Sequence, residues 1–208
     1  MIYSLKLESA LYLTGLLVLL AHALALFKGK VAQDWLRALP RSKPLGFVFL
    51  TVAAIWFFWL VQTMDLGEFS NWREPMRILH FLHIIPFLGP FEWLTSPLAL
   101  GPIVAYVLAL KYVDEFLAAR ALGMLVLLGA EPLLEAAFLR PEMSRLFLVT
   151  LVYVWVAFAL FWVGMPFTLR DQIAWLTGGE KRWRAAVFAG LAYGALLLVL
   201  PLTFAKPA

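Results

Sequence analysis

An all-α bundle of membrane-crossing helices is the fold class this sequence predicts, and three observations carry the prediction. Six long apolar stretches recur within 208 residues. Charged residues make up 14% of the chain and hydrophobic ones 63%, whereas a soluble domain carries about 25% charged residues. Most of the remaining charges lie between the stretches rather than inside them. A hydrocarbon core about 30 Å thick takes roughly 20 helical residues to cross, and each stretch approaches or exceeds that length. Residues 1–208 therefore read as a single integral membrane domain with little chain outside the lipid.

The predicted spans, in order, are Ser9–Phe27, Leu45–Met64, Leu94–Leu110, Phe116–Leu139, Leu146–Phe167 and Ala185–Phe204. The first also has the apolar core of a signal peptide, and Ala21-His22-Ala23 resembles a cleavage site. Lys6 and Glu8 cancel ahead of it, however, and export would carry the most basic loop outward, so it is read as a retained span. Between the second and third spans lies Ile78–Phe91, an apolar segment broken by Pro86 and Pro90. Its 14 residues reach about 21 Å as an ideal helix, short of a crossing. The expectation is a re-entrant or interfacial half-helix on the outer side, its irregular backbone covered by protein or lining a wet cavity.

Orientation follows from the short basic loops. Lys28, Lys30, Arg37, Arg41 and Lys43 precede the second span, and Lys111, Arg120, Arg170, Lys181, Arg182 and Arg184 fall on the same side. Lys6, Arg73, Arg77, Arg140, Arg145 and Lys206 fall on the other. Eleven against six predicts that the first group is cytoplasmic and that both termini are extracytoplasmic. Counting Ile78–Phe91 as a seventh span would erase this bias. The expected location is a bacterial cytoplasmic membrane, with the lipid bilayer as principal partner. The net charge of +4 does not point to nucleic acid, because its basic residues flank apolar spans and meet anionic headgroups there.

Two cytoplasmic segments, Ala32–Leu39 and Leu169–Leu176, have the amphipathic character of helices lying at the headgroups. Thr168 and Asp171 have the spacing of a capping box, with Asp in place of Glu or Gln. Gly178-Gly179 marks a turn into the last span. In that span Gly190 and Gly194 are spaced as GxxxG, and Ala186 extends the small face by one turn. Such a face lets helix backbones approach closely, within one bundle or against another transmembrane subunit or a second copy.

Ionisable groups inside a membrane raise a functional hypothesis by default. Glu131 and Glu135 share a helix face at i,i+4 spacing, and Pro132 frees a backbone carbonyl one turn earlier. His80 and His83 fall in the same outer leaflet on this topology. One reading is structural: Arg73, Arg77, Arg140 and Arg145 neutralise the carboxylates, and the histidines bond carbonyls freed by the prolines. A second makes the four groups a proton or substrate relay. A third makes them ligands for a Zn, Fe or Mn ion. The sequence assigns neither a metal nor a cofactor. Haem is disfavoured, since His22 lies at the other end of its span from His80 and His83. Cysteine is absent, which excludes disulfides and thiolate sites. CxxCH, HExxH, Walker, GxGxxG and GxSxG motifs are also absent.

Two functional classes follow. The first is a non-catalytic membrane subunit or assembly partner of a larger complex, engaged through apolar and small-residue faces. The second is a small transporter or ion-coupled carrier built on Glu131 and Glu135 with His80 and His83.

Overall fold

The computed structural model describes residues 3–63, 96–113 and 115–203. They form helices α1 (Leu7–Phe27), α2 (Gly29–Ala38), α3 (Lys43–Thr63), α4 (Pro97–Tyr112), α5 (Leu117–Ala137), α6 (Arg145–Gly164), α7 (Phe167–Thr177) and α8 (Glu180–Val199). Short 3₁₀ turns at Leu39–Arg41 and Leu200–Thr203 complete the described chain. Five helices, α1, α3, α5, α6 and α8, are long and apolar enough to cross a membrane.

The third predicted span differs. Helix α4 has 16 residues, about 24 Å at 1.5 Å per residue, and begins at Pro97 rather than Leu94. Ser96 sets that boundary: its hydroxyl oxygen accepts the Ala99 N–H at 3.3 Å. Pro97 follows at the first helical position, where no N–H is needed. The predicted half-helix Ile78–Phe91 lies outside the described residues.

Helix α1 runs antiparallel to α8, with Gly15 against Leu198 and Leu19 against Gly194. Helix α6 runs antiparallel to α5, and α3 lies between α4 and α5. One core cluster joins Leu11 of α1, Ala130 and Ala136 of α5, Leu148 and Val152 of α6, and Leu197 of α8. The outward faces are just as apolar. Leu17, Ile55, Tyr153, Leu160 and Val199 are all exposed. A water-soluble monomer rarely exposes apolar surface on this scale, whereas lipid solvates it at no cost.

At the end where α1 stops, α2 and α7 lie side by side across the bundle. Arg37 joins them, its Nε donating to Thr177 Oγ1 at 2.8 Å and its Nη2 to the Thr177 carbonyl at 2.7 Å. A second cluster, Leu39, Ala119, Leu169 and Ile173, seals this layer onto α5. Lys28, Lys30, Arg41, Lys43, Lys111, Arg120, Arg170 and Lys181 belong to the same end, here called the basic end.

The capping box does not form. Helix α7 starts at Phe167, with Pro166 preceding it and no side-chain cap, so Thr168 is already inside the first turn. Its hydroxyl donates to the Met165 carbonyl at 2.7 Å, and Asp171 accepts from Arg170 at 2.8 Å. Gly178 and Gly179 then separate α7 from α8.

Candidate functional site

Small side chains open a gap between α3, α4 and α5. Ala53 and Ala54 of α3, Pro102, Ala105 and Ala109 of α4, and Leu127 and Leu128 of α5 line it. The resulting cavity holds about 450 Å³ and is lined almost wholly by apolar atoms. Its size is that of a small-molecule site. The lining holds one carboxylate, Glu131, which stands on α5 one position before Pro132.

Thr51, Tyr106 and Gln62, the other described polar side chains near the cavity, are hydrogen-bonded within the protein. Thr51 donates its hydroxyl hydrogen to the Phe47 carbonyl at 2.8 Å. A hydroxyl has a single hydrogen, so the 2.9 Å contact between Thr51 and Tyr106 has Tyr106 as donor. Pro102 cannot donate to the Leu98 carbonyl one turn earlier in α4. Gln62 of α3 supplies the missing donor through Nε2 at 3.3 Å. Glu131, in contrast, makes no hydrogen bond or ion pair with any described residue.

Glu135 stands one turn away and faces a different set of groups. Its Oε2 accepts the Tyr3 backbone N–H at 3.1 Å. Tyr3 in turn accepts the Trp56 indole N–H on its hydroxyl at 2.7 Å, and its ring lies 5.7 Å from that of Trp59. The carboxylates that share a helix face thus have separate surroundings: Glu131 borders the cavity, and Glu135 clasps the chain ahead of α1. Arg140 and Arg145 form no ion pair with any described residue. His80, His83, Arg73 and Arg77 lie outside the described residues. No group of three or more His, Asp or Glu side chains suited to a metal occurs among the described residues.

The small-residue face of α8 is turned toward α1. A Cβ added to Gly194 would sit 2.8 Å from the Leu19 backbone nitrogen and 3.1 Å from the Gly15 carbonyl oxygen. One added to Gly190 would overlap the ring of His22, whose Nδ1 lies 2.8 Å from the Val18 carbonyl. Ala186 and His22 also border a second apolar cavity of about 560 Å³ between α1, α2 and α8 at the basic end. Between Gly190 and Gly194, Tyr193 projects the other way and donates to the Phe147 carbonyl of α6 at 2.8 Å.

Tyr3, Gln62 and Tyr106 escaped the sequence reading. Pro102 was the available signal for Gln62, because a proline inside a helix implies an acceptor that another element must satisfy. Tyr3 left no such trace, since its partners lie far away in the chain.

Helix length, hydropathy and the exposed apolar faces define a polytopic membrane protein. No protein-family model, curated protein or solved structure matches the chain.

Proposed function

We propose that the protein is a small membrane carrier or binding protein whose ligand occupies the cavity between α3, α4 and α5, with Glu131 as the group that holds it. The observation carrying this reading is the Glu131 carboxyl, unpartnered among the described residues in an otherwise apolar cavity. An isolated carboxylate is costly in such a place unless it is protonated or meets a cation. The implied ligand class is therefore an apolar or amphiphilic molecule carrying a cationic or hydrogen-bond-donating group. Proton coupling through the same carboxyl is compatible with this chemistry. Glu135 has a positioning role in this reading.

This reading takes the basic end as cytoplasmic on the positive-inside rule, with both termini on the opposite side and the shorter helix α4 crossing as a sixth segment. The alternative reading, a non-catalytic assembly partner of a larger complex or a homo-oligomer, keeps the broad exposed face of α6 in its favour. It loses support from Gly190 and Gly194, which pack on α1.

The test uses tetraphenylphosphonium, a lipophilic organic cation, with full-length protein in nanodiscs. Binding should weaken at least tenfold, or about 1.4 kcal/mol, in Glu131→Gln and change little in Glu135→Gln. Dicyclohexylcarbodiimide should label Glu131, and tetraphenylphosphonium should protect it. Equal binding by wild type and Glu131→Gln, without protection, would sink the carrier reading.

A further inference from the structure

A second site stands at the basic end, apart from the Glu131 cavity. Arg37, Arg41 and Arg170 line one groove of about 250 Å³ between the Leu39–Arg41 turn and α7, over Pro40, Ile173 and Ala174. Three arginines thus border one small groove, and an anion bound there would offset the repulsion among their like charges.

Two of the three are fixed by the protein. Arg37 is held by its two hydrogen bonds to Thr177, at 2.8 and 2.7 Å. Because these use Nε and Nη2, the Nη1 edge of the fork remains available. Arg170 is held by Asp171 at 2.8 Å and by the Phe116 ring, whose centroid is 5.9 Å from its Cζ. Asp171 offsets one positive charge and leaves the trio with a surplus. Arg41 follows the buried Pro40 and makes no hydrogen bond or ion pair with any described residue. The arrangement is two arginines with partners in the protein and a third that borders the same groove. Planar forks of this kind match the oxygens of a phosphate group better than a lysine ammonium does.

We propose that Arg37, Arg41 and Arg170 form a binding site for a phosphate group. Either a lipid headgroup or a soluble phosphate supplies this chemistry. The apolar floor and the two amphipathic helices beside the groove suit a headgroup, as basic pockets at membrane surfaces commonly do.

The experiment uses the full chain in two arms. In the first, inorganic phosphate is titrated into protein in nanodiscs of phosphatidylcholine alone. In the second, native mass spectrometry counts phosphatidic acid retained when protein in phosphatidylcholine micelles is offered that lipid. Arg41→Gln is the test variant, since it removes no hydrogen bond or ion pair among the described residues. Lys181→Gln removes the same charge elsewhere at the basic end. Binding in either arm should fall roughly tenfold or more in Arg41→Gln, the scale of one charge-assisted contact, and change less than about twofold in Lys181→Gln. The arm that responds identifies the source of the phosphate. Absence of binding in both arms, or equal losses in the two variants, overturns the site.

Discussion

At the scale of single residues, the informative positions are polar atoms that the lipid cannot satisfy. A free carbonyl in hydrocarbon has no water to turn to, so a partner within the protein decides its cost. Leu98 and Gln62 form such a pair because Pro102 removes the normal donor. Gln62→Leu should lower thermal stability in detergent by about 1 kcal/mol, the usual worth of one such bond. Pro102→Ala restores a backbone N–H one turn on from Leu98, so adding it to Gln62→Leu should recover most of the loss. A double-mutant cycle of thermal unfolding checks this; purely additive effects would contradict the assigned role. The same reasoning separates Glu131 from Glu135. Their spacing made them equivalent in the sequence, and the Tyr3 N–H makes them different in the fold.

At the scale of elements, close approach of α1 and α8 is the contact most exposed to a steric test. Lipid tails offer no hydrophobic drive for two apolar helices to associate, so fit and backbone proximity must supply it. Gly190 accommodates the His22 ring, and Gly194 accommodates the backbone of α1. Gly190→Ala should destabilise the protein by about 1–3 kcal/mol, as overpacking does. His22→Ala vacates the same space, and the double variant should therefore be more stable than Gly190→Ala alone. The melting midpoint of the four proteins decides the matter, and the absence of that rescue would place the strain elsewhere. Helices α2 and α7 obey a different rule. They are anchored on α5 through Leu39, Leu169 and Ile173 rather than through small residues at a close crossing.

At the scale of the whole molecule, the described residues form two ends of unequal charge around an apolar middle. The positive-inside rule predicts that the end bearing α2 and α7 faces the cytoplasm. The chain contains no cysteine, which makes single-cysteine accessibility clean. Lys181→Cys should react with an impermeant maleimide only after cells are opened, and Met143→Cys should react in intact cells. Labelling in the opposite pattern would invert the topology and place the arginine groove outside.

The sequence by itself determined the class of the protein and the positions of its long helices, because lipid solvation is set by local composition over about 20 residues. It also marked the short helices that carry Trp35 and Trp175 and the turn at Gly178-Gly179. Tertiary structure alone decided which side chains meet. It allotted Glu131 to a cavity and Glu135 to Tyr3, turned Gly190 and Gly194 onto α1, and brought Arg37, Arg41 and Arg170 to one groove. Apart from Arg37 and Arg41, which are four positions apart, these partners lie tens to more than a hundred residues apart. Nearly every face of these helices is apolar, so hydropathy does not distinguish the side that meets protein from the side that meets lipid. Shape and scarce polar groups make that choice, and both act only once the helices are assembled.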